Sequence, residues 1–400
     1  MSKLYNTFDN VSSNILDFFN NINLPISKPN KKVLAFIIPA MIKSESIVTA
    51  DISKSLNSAS FSSNDDSNQK RIWRFTNNKN VNIYDVFDSI IKAIINNISN
   101  IKHDKLVVTM DHMFTKNNFV TLMFTLKIDN QGIPLCFFTE RTSSNCHSEI
   151  QKNSRKKLFS EKFIKEAIDK VIELLSPLNT KITFLADRWF FNLKILKHIE
   201  DAGQFFCFRA KANSSVKVYA FDKKEKHYIY KHLSDFNSTK NRSKYYENIE
   251  FGDMQFKCNL SVSRDIANNE EENWYIISNI EPNKAIRTYS KRFGCIEMFF
   301  KSQKTNGFYL ESTKTKNLHA FETIYGVACI AALWLNIIAV DYIKNYNHCK
   351  KKINIRFNKK NKNGKLIRIL STFKLGLYLF KKVFSSTINY KLKTNFKLYL

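Results

Sequence analysis

DKLVVTMDHMFTKNNFVTLMFTLKIDNQGIPLCFFT, residues 104–139, is the stretch whose reading decides the fold. Three runs within it, DKLVVTMD (104–111), NFVTLMFTLKI (118–128) and IPLCFFT (133–139), are rich in β-branched and aromatic residues. DNQG (129–132) has the chemistry of a tight turn between the last two. The stretch therefore reads as three antiparallel strands in succession. Downstream, SRKKLFSEKFIKEAIDKVIELLS (154–176) places apolar residues from Phe159 to Leu175 at helical spacing, and Pro177 closes the helix. KITFLAD (181–187) reads as a fourth strand, RWFFNLKILKHIEDAG (188–203) as a helix stopped by Gly203, and QFFCFRA (204–210) as a fifth strand.

The order is β-β-β-α-β-α-β, which builds a mixed sheet with helices on its faces. That is the order of the ribonuclease H-like α/β fold. Two acids fall at strand ends in this reading: Asp111 ends the first strand and Asp187 the fourth. Carboxyl ends of neighbouring strands form the usual ligand crevice of such sheets. Residues 211–285 interrupt the pattern with five further strand-like runs, a β-rich insertion. Helices then resume with YSKRFGCIEMFFKSQK (289–304), read as one basic, aromatic, helix-like segment carrying Tyr289, Arg292, Glu297 and Lys304.

The first hundred residues read as a helical module. SFSSNDDSN (60–68) is a loop by composition, and QKRIWRF (69–75) sets Lys70, Arg71 and Arg74 around Trp73. Such a module could dock on DNA, or its basic residues could simply be solvated. Boundaries follow at 1–100 (helical module), 101–210 (first part of the ribonuclease H-like domain), 211–285 (insertion), 286–345 (its remaining helices) and 346–400 (basic C-terminal region). The last region reads as a loop at 358–365 and a helix over 366–384.

The formal charge is +28. So much like charge calls for a polyanionic partner: nucleic acid, an anionic membrane or an acidic protein. Drift of an AT-rich genome toward Lys and Asn codons would spread the charge evenly. Instead the last 59 residues hold 16 Lys or Arg and no Asp or Glu. The seven Cys show no CxxC pair and no zinc spacing, which predicts a reducing, cytoplasmic compartment without disulfides. IYGVACIAALWLNIIAV (324–340) is short for a membrane span and reads as a buried core helix, with no membrane partner.

Asp111, Asp187 and Glu297, from separate elements, are the candidate catalytic and metal-binding set. Phosphodiester chemistry is served by two divalent ions, and Mg2+, with Mn2+ as a substitute, takes oxygen ligands from carboxylates. Each acid also has a structural reading. Asp111 could cap a turn, Asp187 could cap a helix with Arg188 in a local ion pair, and Glu297 could pair with Lys301 one turn on. His112 reads as a packing residue. Arg292 and Lys304 suit phosphate, the first by its fork and the second as a point charge.

With these residues placed, the chain resembles a bacterial insertion-sequence transposase of the DDE type, in the subgroup named for a Tyr-Arg-Glu-Lys signature. Tyr289, Arg292, Glu297 and Lys304 carry the resemblance, with TNGFYLEST (305–313), ADRWF (186–190) and QKRIWRFTNN (69–78). Four residues rather than three separate Arg292 from Glu297, which in a regular helix would turn Arg292 by about 100°. The resemblance implies an enzyme that binds the inverted-repeat ends of its element, pairs them as a homodimer, and cuts and joins double-stranded DNA with Mg2+. It implies DNA contacts by Tyr289, Arg292 and Lys304; Arg188, Arg71 and Arg74 are added as basic candidates, and Trp274 as a base-stacking one. The expected location is cytoplasmic, on the nucleoid when DNA is bound. Competing readings are an inactive or co-opted DNA-binding copy and another ribonuclease H-like nuclease. DNA binding without cleavage marks the first, and cleavage away from flanking inverted repeats marks the second.

Overall fold

A computed structural model describes residues 8–56, 64–98, 105–128, 131–142, 158–222, 225–239, 242–252, 256–267, 270–344, 358–360, 366–368 and 370–384. Five helices come first: α1 (Phe8–Asn21), α2 (Lys28–Ser44), α3 (Thr49–Lys54), α4 (Asp65–Thr76) and α5 (Ile83–Ile98). Then follow β1 (Leu106–Phe114), β2 (Phe119–Ile128), β3 (Gln131–Arg141), α6 (Glu161–Leu175), β4 (Ile182–Ala186), α7 (Leu193–Asp201) and β5 (Phe205–Ala210). The insertion supplies β6 (Lys217–Asp222), β7 (His227–His232), β8 (Lys244–Phe251), β9 (Phe256–Ala267) and β10 (Glu270–Ser278). After it come α8 (Pro282–Ser290), α9 (Ile296–Lys304), α10 (Leu318–Lys344), β11 (Asn358–Lys360), β12 (Leu366–Arg368) and α11 (Thr372–Phe384).

The sheet order is β3-β2-β1-β4-β5-β10-β9-β8-β6-β7. β1, β4 and β5 run parallel, and every other pairing is antiparallel. This is the ribonuclease H-like mixed sheet expected from the sequence. The insertion does not form a sheet of its own: β10 pairs with β5, so its strands extend the same sheet.

Several element boundaries differ from the sequence reading, each for a local reason. β1 runs on to Phe114, so Asp111 lies inside the strand, although the parallel ladder with β4 stops at Met110 and Ala186. The helix expected from residue 154 begins at Glu161, because the Ser160 hydroxyl accepts from the Phe163 N–H and Phe159 sits at φ 50° before it. The helix expected from 188 begins at Leu193, capped by Asn192. Residues 65–68, read as loop, open α4, where Asn64 caps and Asp65 and Asp66 lie at the positive end of the helix dipole. At the C-terminal end, 358–360 and 366–368 are paired strands rather than loop and helix, and α11 starts at Thr372. The turn expected at 129–130 and the helix start expected at 154–157 fall outside the described residues.

α10 is the organising helix of the core. Among the described residues it is the helix long and apolar enough to cross a membrane, and its most apolar 18-residue window is entirely buried inside the protein. Phe321 stacks on Phe119 at 4.5 Å, and Tyr325 meets Phe137 of β3 edge-on at 5.2 Å. Gly326 lets Ile83 of α5 approach where a Cβ would collide. On another side α11 packs so closely that a Cβ on Gly376 would overlap the Leu335 backbone, while Phe380 meets Trp334 at 5.8 Å. Gly376→Leu is therefore expected to lower stability by about 2 kcal/mol or more, since a backbone cannot yield as a side chain can. A urea midpoint equal to that of the wild type would show that α11 does not pack at this distance.

Candidate active site

The end of the β1–β4 ladder brings two acids together. Asp111 and Asp187 each follow the last parallel pair, on adjacent strands and on the same face of the sheet. Asp187 is not a helix cap. Its Oδ1 accepts the Trp189 N–H at 2.9 Å, and its carbonyl accepts the Phe190 N–H at 3.1 Å, closing a turn before α7. Nor does Arg188 pair with it: Nη1 donates to Glu272 of β10 at 2.9 Å. His112 packs against Trp189 at 4.5 Å and Phe190 at 5.5 Å, with its Nδ1 3.7 Å from Asp111 Oδ1.

The segment 289–304 is not one helix. α8 ends at Ser290, and tight turns carry the chain through 291–295, with Cys295 N–H bonding the Arg292 carbonyl at 3.0 Å. α9 then opens with Glu297 in its first turn, where the helix dipole favours a carboxylate. The additional residue of the signature lies in this break, so the expected 100° rotation does not arise. Arg292 instead reaches both acids: Nη2 donates to Asp111 Oδ2 at 2.5 Å and Nη1 to Glu297 Oε1 at 3.1 Å. Glu297 thus pairs with Arg292 rather than with Lys301. Beneath the turn, the Cys295 thiol sits 3.5 Å from the Thr109 hydroxyl and 3.4 Å from that of Thr125, themselves 2.6 Å apart. Gly132 leaves the room, since a Cβ there would lie 3.0 Å from the Cys295 sulfur.

Charge in this centre is finely balanced. Burial first, then Asp187 and Glu297, lift the Asp111 carboxyl to about 7, against the opposing pull of Arg292 and the His112 N–H. Burial works against the Arg292 charge, but Asp111, Tyr289, Asp187 and Glu297 outweigh it and raise its pKa. Arg292 is buried, whereas the Glu297 side chain keeps 47% of its exposure. Removing one partner of the buried Arg292–Asp111 pair typically costs about 3–5 kcal/mol.

The other expected site residues are placed as follows. Tyr289 is buried, edge-on to Trp274 at 5.7 Å and Phe293 at 6.0 Å, and burial above all pushes its phenol to about 12. Trp274 lies 5.5 Å from Phe293, with the Arg209 guanidinium 5.3 Å over its ring, so it is packed from two sides. Lys304 donates to the Phe114 carbonyl at 2.5 Å and pairs with Glu311 at 3.1 Å. Arg71 and Arg74 are exposed on α4, a helix that packs on α2, α3 and α10, and Trp73 between them is 60% exposed. Sequence reasoning missed Thr109, Thr125 and Cys295. The period of two from Asp111 could have marked Thr109; nothing in the sequence marked Cys295.

Residues 164–334 match the family model of the transposase DDE domain. The match supports a DDE transposase family. Asp187 and Glu297 lie inside the matched span, and Asp111 precedes it. No curated protein matches the chain. DDE transposases generally use divalent metals, and the donors here fit one in chemistry, being three carboxylates. Among the described residues no three His, Cys, Asp or Glu side chains are gathered into a preformed metal cluster, and Arg292 stands between two of the acids.

The Asp111 shift has a measurable sign. Its folded pKa of about 7 exceeds the unfolded value of about 4, so the folded protein retains a proton that the unfolded chain has lost. Asp111 therefore subtracts stability as pH rises from about 4 to about 7. Relative to Asp111→Asn, the wild type is expected to lose stability across that interval in urea titrations with chelator present. A constant difference between the two would place the Asp111 proton elsewhere.

Proposed function

We propose that the chain is a DNA transposase that binds the inverted-repeat ends of its element and performs metal-dependent strand cleavage and strand transfer. The observation that carries this reading is the Arg292 bridge between Asp111 and Glu297, beside Asp187, on a ribonuclease H-like sheet. It joins the signature arginine to acids from a strand and a helix far apart in sequence. Asp111, Asp187 and Glu297 are the residues that would hold Mg2+, in two ions, with Mn2+ as a substitute. Divalent ions at such a centre supply an activated water and neutralise charge on the scissile phosphate.

The protein's own groups do the rest. Arg292 offers a planar fork that can pass from carboxylate to phosphate, since both accept two parallel N–H bonds. Lys304 and Arg188 border the centre as further cations, and Tyr289 supports the Arg292 turn from below. Residues 1–100 serve as a DNA-binding module through Arg71, Arg74 and the exposed Trp73. A homodimer on paired ends, an exchange into target DNA, and a cytoplasmic, nucleoid-associated location complete the reading.

Two outcomes test it. Asp187→Asn is expected to abolish cleavage of DNA carrying the ends that flank the gene, as does EDTA, while affinity for that DNA stays within about three-fold. Equal loss of cleavage and binding would remove the catalytic role, and binding without cleavage by the wild type would indicate an inactive copy. The affinity is also expected to fall steeply with salt, because each neutralised phosphate releases counterions at a log–log slope of about −0.9 per contact. A flat salt dependence would mean that the basic surfaces do not meet phosphate.

A further inference from the structure

The far edge of the sheet carries an exposed aromatic ladder that the acid centre does not use. β6 and β7 pair in register, with Tyr219 opposite Tyr230 and Phe221 opposite Tyr228. All four rings lie on one face and are between 38% and 57% exposed. They touch one another: Tyr219 stacks on Tyr228 at 5.4 Å and meets Tyr230 at 5.0 Å, and Phe221 meets Tyr228 at 5.5 Å. On the same face Lys217 and His232 extend the ladder at one end, and Lys257 lies across β8 behind Glu250. Lys217, His232 and Lys257 are exposed.

The register also fixes which face this is. Thr109 pairs with Leu185, Leu185 with Cys207, Cys207 with Ser278, Ile276 with Ser261, Lys257, four residues from Ser261 on β9, with Glu250, and Glu250 with Tyr219. Paired residues share a face, and alternate residues of a strand return to it. The ladder is therefore on the face that carries Asp111. With strands about 4.8 Å apart, it lies roughly 25–30 Å from the end of β4, measured along the sheet. α8 crosses the interval, packed on β5, β8, β9 and β10, and presents exposed Lys284, Arg287 and Lys291.

Exposed rings on a sheet, bordered by lysines, match the surfaces that hold unpaired nucleic acid: bases stack on the rings and phosphates meet the cations. We propose that the Tyr219, Phe221, Tyr228 and Tyr230 ladder binds a single-stranded DNA segment that leads along the sheet face toward the acid centre. A second copy of this chain is the competing occupant, because β7 is an edge strand. Charge disfavours it, since each copy carries +28. The proposal rests on the transposase reading for the source of the strand, while the binding chemistry is independent of catalysis.

The test uses the full-length protein in EDTA, with a fluorescent oligo(dT) as probe. Tyr219→Ser/Tyr228→Ser/Tyr230→Ser is expected to weaken oligo(dT) binding about ten-fold or more, with the unfolding midpoint unchanged. The corresponding triple Tyr→Phe variant, which keeps the rings, should retain wild-type affinity. Oligo(dT) affinity unmoved by the serine variant overturns the proposal, as does a concentration-dependent dimer, seen by sedimentation, that the serine variant alone disperses. Asp187-dependent cleavage that persists alongside an unmoved affinity would leave the transposase reading intact and sink only the ladder. Lost strand binding with no cleavage by the wild type would do the reverse.

Discussion

A guanidinium buried among three carboxylates is the interaction on which the rest of the centre depends. Arg292 bridges a strand and a helix, and without it Asp111 and Glu297 would face each other, and Asp187, with no compensating charge at hand. Even with it, burial first and then Asp187 and Glu297 hold the Asp111 carboxyl above the usual carboxylate range.

Holding that arginine in place takes the whole sheet. The β1–β4 register sets Asp111 beside Asp187, and the Cys295–Thr109–Thr125 contact seats the α8–α9 break on the sheet surface below. α10, buried along its apolar length, anchors the N-terminal helices and α11 to the other side of the fold. The insertion, by continuing the sheet rather than standing apart from it, places its aromatic edge on the face of the acids.

Much of this was legible in the residues. Runs rich in β-branched and aromatic residues marked the strands, and their order pointed to the ribonuclease H-like sheet. Asp111 and Asp187 were placed beside neighbouring strand ends, and the structure sets them just past the last parallel pair of β1 and β4. The helix starts were less legible, because Ser160 and Asn192 act as caps only when the chain before them departs from the helix, and an amphipathic pattern does not show where that happens. Lys301 looked the natural partner for Glu297 from spacing alone. Arg292 took that place because the turns at 291–295 bring its guanidinium back to the first turn of α9, a placement that helical spacing does not show.

The sequence by itself determined most of the element types and the fold class, because these follow from local composition and periodicity. Tertiary structure alone decided the partners. Arg292 joins Asp111 across a sequence separation of 181 residues, Cys295 finds Thr109 across 186, and the ladder shares a face with the acids only through pairings that run across the whole sheet. Such contacts depend on register and packing, which no single segment of the chain contains.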